Sequence, residues 1–194
     1  MKVVGITGGI GSGKSTLRKW FASQGIPCFD SDAVGKELLN TSLKDQLIEK
    51  LGAAFYKEDG TLDRGQLAQL VFNNQNALEK LNTIVHPAVS YAFEQFKLKN
   101  KGAPFVIKEA AILFESGAFK SCDAIILVCA PKEQRIQRVM ERDHSTKEAI
   151  QARMKHQWSD AKKVELSDYV IQNEYLEAAI EQAKQILSML KSEF

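Results

Sequence analysis

The sequence predicts an α/β protein: a parallel five-stranded sheet flanked by helices, with a helical insertion between the second and third strands. Three observations predict it. Residues 8–16 read Gly-Gly-Ile-Gly-Ser-Gly-Lys-Ser-Thr, between an apolar run and a stretch with helical character. Further short apolar runs recur along the chain, continuous rather than alternating, as in a sheet covered on both faces. Helical patterns separate most of these runs, which is the order of a parallel sheet.

The first strand is expected at 3–7 (Val3, Val4, Gly5, Ile6, Thr7), followed by the glycine-rich loop and a helix from Leu17. Ile26-Pro27-Cys28-Phe29 reads as the second strand and ends on Asp30-Ser31-Asp32. Residues 33–100 then carry helical spacing almost throughout. Ser42 is placed to cap a helix with Leu43, Leu47 and Leu51 on one face. A turn at Asp59-Gly60 precedes Leu67, Leu70 and Val71, and Ala77, Leu78, Leu81, Ile84 and Val85 mark another helix. His86-Pro87 should break that helix, because the residue before proline is disfavoured in α geometry. Val89, Phe93 and Phe96 continue on a further one. So much helix exceeds a simple βα connection and predicts a substrate-binding subdomain at 33–100.

Phe105-Val106-Ile107 is the third strand, followed by Glu109, and 124–129 is the fourth and most apolar. Pro131 suits a first helical position. The helix after it turns Ile136, Val139 and Met140 inward and Arg135, Arg138 and Arg142 elsewhere. Ser145 and Glu148 form a capping-box pair for the next helix. Tyr169-Val170-Ile171 is the fifth strand, and Leu176, Ile180, Ala183, Leu187 and Leu190 give a terminal helix a core stripe. The core is expected at 1–32, 101–137 and 164–194, with a lid at 138–163.

Composition narrows the partners. The net charge of +2 implies no global field for a polyanion, and no nucleic-acid partner is predicted. The segment 132–163 nonetheless carries nine Lys/Arg against five acids, enough to neutralise phosphate locally. The longest apolar run is far too short to span a bilayer, so no membrane partner is expected. Cys28, Cys122 and Cys129 form no metal or disulfide pattern, and the N-terminus carries no signal-peptide pattern. Together these predict a cytoplasmic protein; oligomeric state is not readable.

The loop carries the chemistry. It matches G-x-x-x-x-G-K-[ST], a phosphate cradle in which glycines let backbone N–H groups face a polyphosphate. Lys14 is placed to reach the β- and γ-phosphates, Ser15 to ligate Mg²⁺, and the helix that begins there adds its positive dipole end. A nucleoside triphosphate is therefore the expected ligand, held by Gly9, Gly11, Ser12, Gly13, Lys14, Ser15 and Thr16. Ligands in open α/β sheets sit beyond the carboxyl ends of the strands, where Asp30, Asp32 and Glu109 fall. A carboxylate there can orient an acceptor hydroxyl or take its proton, or support the metal. Asp32 is the candidate base and Glu109 the candidate metal support. The spacing of Asp30 and Asp32 also suits turn chemistry and helix capping. Arg138 and Arg142, four apart on one helix face, are candidates for neutralising transferring phosphate. His86 suits a structural turn as well as a substrate contact, and Trp158 suits packing as well as stacking on a base.

An ordered set of motifs resembles the dephospho-coenzyme A kinase family over nearly the whole chain. The set is residues 6–16, Asp30-Ser31-Asp32, the string 59–64 ending at Arg64, and His86-Pro87. Leu113-Phe114-Glu115, Gln134 through Arg138 and Arg142, Gln157 and the string 168–173 complete it. The resemblance implies a P-loop kinase fold with a helical coenzyme A-binding subdomain and a mobile lid. It implies ATP-dependent phosphorylation of the ribose 3′-hydroxyl of dephospho-coenzyme A, with ATP and Mg²⁺ as co-substrate and metal. Carried over residue by residue, Asp32 is similar to the catalytic base, Arg142 to the lid arginine and Asn173 to an adenine contact. Arg138 falls on the nucleotide side, and Arg64 and His86 on the acceptor side. Two positions depart from the pattern. Glu109 stands where the family has Asp, one methylene shorter, and Glu174 stands where Gly follows the Asn. Another kinase on the same scaffold, or a nucleotide-dependent switch, shares the loop; the absence of an Asn-Lys-x-Asp string argues against a small GTPase.

Overall fold

The computed structural model describes residues 1–194; the side chains of Arg64, Phe72 and Asn73 lie outside the described residues, and with them the reading of Arg64 as an acceptor contact. The chain forms two compact units, Met1–Asp30 with Asn100–Phe194, and Ser31–Lys99.

The first unit is built on strands β1 (Lys2–Gly8), β2 (Cys28–Asp30), β3 (Phe105–Glu109), β4 (Ala124–Cys129) and β5 (Tyr169–Gln172). All pairings are parallel, in the order β2-β3-β1-β4-β5. Val4 of the central strand pairs with Ile107 on one side and Ala124 on the other. Val4, Ile6, Ile107, Ile126 and Leu127 are fully buried, as strands covered on both faces require. Helices α1 (Lys14–Ser23) and, late in the chain, a long terminal helix (Leu176–Glu193) supply one cover: Leu17 and Phe21 share a cluster with Ala183 and Leu187 of the terminal helix. Burying Phe21 completely is worth about 2–3 kcal/mol. The strand order reverses at β1, so the loop leaving β1 opens at the switch point where such sheets bind ligands.

The second unit contains α2 (Ser31–Asn40), α3 (Lys44–Leu51), α4 (Arg64–Asn73) and α5 (Gln75–Lys99). Leu39, Leu43, Leu47, Leu62, Leu67 and Ile84 form its core. Two expectations fail here. Leu43, not Ser42, precedes the first residue of α3, and no side chain among the described residues caps it; burial of Leu43 and Leu47 decides where that helix starts. The predicted break at His86-Pro87 is absent: α5 runs 25 residues with Pro87 inside it. Proline forfeits one helical hydrogen bond. Ile84, Val85 and Ala88 on either side of it pack on the leucine core, and that burial offsets the loss.

After β4 the first unit continues with helices α6 (Lys132–Asp143), α7 (Lys147–Lys155) and the short α8 (Asp160–Val164); the terminal helix is α9. Pro131 stands one residue before α6, with extended ψ, rather than inside it. Thr146, not Ser145, caps α7, its hydroxyl accepting from the Ala149 amide at 3.3 Å. His144 in the left-handed region ends α6 and shifts the register by that residue. Met140 and Leu176 are exposed, while Arg135 is buried. No described helix is long and apolar enough to cross a membrane.

Candidate active site

The loop between β1 and α1 takes its shape from two glycines. Gly11 (φ 79°) and Gly13 (φ 91°) lie in the left-handed region, where a Cβ is strained. Each also faces a neighbour too close for one: a Cβ on Gly11 would strike the Arg135 carbonyl, and one on Gly13 the Asn173 amide. Inside the loop the Ser12 amide donates to the Gly9 carbonyl at 3.0 Å, and the Thr16 amide to that of Gly13 at 3.0 Å. Lys14 is the first residue of α1. Among the described residues no side chain caps α1 and its first turn holds no acid, which suits its positive end to an anion.

Beside the loop lies a cluster of four charged or hydroxyl groups. Ser15 Oγ donates to Glu109 Oε1 at 2.6 Å, and Arg18 Nε donates to Glu109 Oε2 at 2.5 Å. Arg18 Nη2 reaches Asp30 Oδ2 at 3.1 Å. Asp30 and Glu109 are register partners at the carboxyl ends of β2 and β3, which is why one guanidinium bridges both. The Glu109 side chain is 3% exposed, so its charge depends on this pairing. Ser15 and Glu109 are hard oxygen donors at hydrogen-bond distance, a pair that suits a cation bound mostly by phosphate and water. Among the described residues no group of three or more His, Cys, Asp or Glu gathers into a complete metal cage.

On the other side of the loop Asn173 is buried, and its Nδ2 donates to the Ser12 carbonyl at 2.7 Å. Arg138 Nη2 donates to the Asn173 carbonyl at 3.0 Å and to that of Glu174 at 3.3 Å. Thus Arg138, Asn173 and Ser12–Gly13 form one contiguous wall. The Asn173 Oδ1 and Arg138 Nη1 atoms are buried and, among the described residues, unpartnered. Arg142 is not drawn into that wall: its guanidinium closes on the adjacent Asp143 at 2.6 and 2.9 Å, and its side chain is 62% exposed. Asp32 stands in the first turn of α2 and His86 in the middle of α5, both in the helical unit.

Several participants take their place only from the fold. Arg18 lies one helical turn past Lys14 on α1 and reaches the carboxyl ends of β2 and β3. Arg135 is three residues before Arg138 on α6, yet it is 8% exposed against the loop rather than solvated. Gln157 and Asp160 meet the loop and Arg135 respectively. Trp158 stacks on Phe114 with ring centres 6.3 Å apart, and Lys162 Nζ lies over its ring at 3.5 Å. The three thiols are free, and burial pushes each up to about 11.

Comparison with known proteins agrees with the geometry. The family model described as dephospho-CoA kinase matches residues 2–178. A dephospho-CoA kinase of Chlorobium chlorochromatii is 39% identical, over 97% of this chain and 93% of its own. A solved structure from Thermus thermophilus superposes with a TM-score of 0.85 at 33% identity, covering 97% of both chains. The dephospho-CoA kinase of Campylobacter jejuni superposes at 0.70 and 28% identity, covering all of both chains. With its nucleotide loop, its five-stranded parallel sheet and these relatives, the chain belongs to the dephospho-CoA kinase family.

Proposed function

We propose that this protein transfers the γ-phosphoryl group of ATP to the ribose 3′-hydroxyl of dephospho-coenzyme A, releasing ADP and coenzyme A. The observation that carries the reading is the Ser15–Glu109–Arg18 cluster, set against a glycine loop that opens into an uncapped helix. Such an arrangement serves phosphoryl transfer, which needs positioning and charge neutralisation more than covalent help.

In this reading the loop from Gly9 to Thr16 cradles the triphosphate and Lys14 neutralises its β- and γ-oxygens. Ser15 and Glu109 would hold Mg²⁺, which supplies charge neutralisation across the β- and γ-phosphates. The wall of Arg138 and Asn173 borders the nucleotide, with their unpartnered polar atoms as the groups left for it. Asp32 accepts the proton of the acceptor hydroxyl as its oxygen bonds to the γ-phosphorus and the bond to the bridging oxygen breaks. Arg64 and His86 serve the acceptor. Arg142 leaves Asp143 for the transferring phosphoryl when both substrates are bound, where its fork stabilises spread charge.

The test is to mix the protein with Mg-ATP and dephospho-coenzyme A and follow ADP, locating the new phosphate by ³¹P NMR. ADP release that requires the acceptor, with phosphate on the 3′-oxygen, is expected. ADP release indifferent to the acceptor refutes the reading.

A further inference from the structure

Both backbone polar groups of Ile10, in the middle of the nucleotide loop, are taken by side chains from far along the chain. The Ile10 amide donates to Gln157 Oε1 at 2.9 Å, and the Ile10 carbonyl accepts from Arg135 Nε at 3.0 Å. Neither donor nor acceptor stands alone. Gln157 Nε2 donates onward to the Ala111 carbonyl at 3.0 Å, tying the loop to the segment after β3. Arg135 Nη1 pairs with Asp160 Oδ2 at 2.9 Å. Gly9 leaves the space that the Arg135 guanidinium fills, and the Ile10 side chain packs on Ile136, Val139 and Ile150.

The anchoring segment is itself held. Glu115 Oε1 accepts from the Trp158 amide at 2.7 Å and lies 3.0 Å from Lys163 Nζ, which is fully buried. Gln157 and Asp160 flank this fixed point in sequence.

We infer that Arg135 and Gln157 are positioning residues that grip Ile10 and hold the nucleotide loop in its phosphate-binding shape. The inference rests on the reading of residues 8–16 as the triphosphate cradle. With its amide committed to Gln157, Ile10 is not a phosphate donor, and the anion falls to the amides that open α1. Loss of the grip lets the loop sample other shapes and taxes nucleotide binding, not acceptor binding.

Two variants test this: Gln157→Met, near-isosteric but unable to bond Ile10 or Ala111, and Arg135→Lys, which keeps the charge for Asp160 but lacks the fork. Calorimetric Kd for ATP and for inorganic tripolyphosphate, KM for each substrate, kcat and Tm are measured, with Lys14→Ala as control. Each variant should weaken both ligands about tenfold, the loss expected when a buried backbone group loses its partner. The KM for ATP should rise alike, while kcat at saturating ATP and the acceptor KM stay within about threefold. A general structural defect would lower Tm and weaken both substrates together, and that result overturns the inference. So does unchanged tripolyphosphate binding in Gln157→Met while Lys14→Ala loses it, an outcome that leaves the cradle reading standing. Failure of the folded wild type to bind either polyphosphate takes down both.

Discussion

Replacing Arg18 with Met keeps most of the side-chain stem and removes the guanidinium between Glu109 and Asp30. Glu109, 3% exposed, keeps its contact with Ser15, while Asp30, 26% exposed, loses its contact with the guanidinium. The hydrogen bond to the buried carboxylate is charge-assisted and worth about 1.5–3 kcal/mol. The half-exposed contact with Asp30 adds at most about 1 kcal/mol. The expected loss is therefore about 1.5–4 kcal/mol, which for a chain of this size lowers Tm by roughly 3–16 °C. Glu109→Gln should cost less, and combining it with Arg18→Met should cost less than the sum, since a neutral amide no longer needs the cation. Urea denaturation of the four proteins in this cycle, with constant m-values, measures the coupling. A loss below about 0.5 kcal/mol for Arg18→Met, or strict additivity, would refute the assignment of Arg18 as the counter-ion of Glu109.

Asp32→Asn should lower kcat by about 10²–10⁴-fold and leave the Kd for ATP near that of the wild type; a near-normal kcat would remove the proton-accepting role. Pro87→Ala should stabilise the helical unit by about 1–2 kcal/mol in denaturant titration, because it restores an N–H inside α5; a neutral or destabilising effect would mean that the helix is already relieved there. The thiols of Cys28, Cys122 and Cys129 are raised from 9.0 to about 11 by burial, so at pH 8 their thiolate fraction falls about 100-fold. Alkylation by iodoacetamide in the folded protein should be slower by that factor than in urea, and equal rates would contradict the burial. The same shift has a sign for stability: the folded state holds its thiol protons more tightly, so stability falls as pH rises from about 9 toward 11.

The strands and the nucleotide loop are legible in sequence because their signals are local. Short continuous apolar runs between helical patterns fit covered strands, and the spacing of Gly8, Gly13, Lys14 and Ser15 fits a phosphate cradle. Glu109 is legible as a site candidate by its place at a strand end, and the structure sets it 2.6 Å from Ser15. Helix ends are less so, since capping competes with burial: Leu43 overrides Ser42, and the αL turn at His144 moves the α7 cap to Thr146. Pro87 misleads because local preference yields to the leucine core beneath α5. Arg135 is hidden for a different reason. Its helix face looks solvated by composition, and only the fold brings a glycine at position 9 to receive its guanidinium. Arg142 illustrates the converse: a motif predicts its role, while its guanidinium pairs with Asp143. Long-range pairings such as Gln157 with Ile10 leave no periodic trace in a single sequence.

The most direct measurement is acceptor-dependent turnover with the purified chain, Mg-ATP and dephospho-coenzyme A, comparing the wild type with Lys14→Ala. The wild type should form ADP and 3′-phosphorylated product in equal amounts, and Lys14→Ala should form neither. ADP without phosphorylated product, or product undiminished in Lys14→Ala, would contradict a kinase built on this loop.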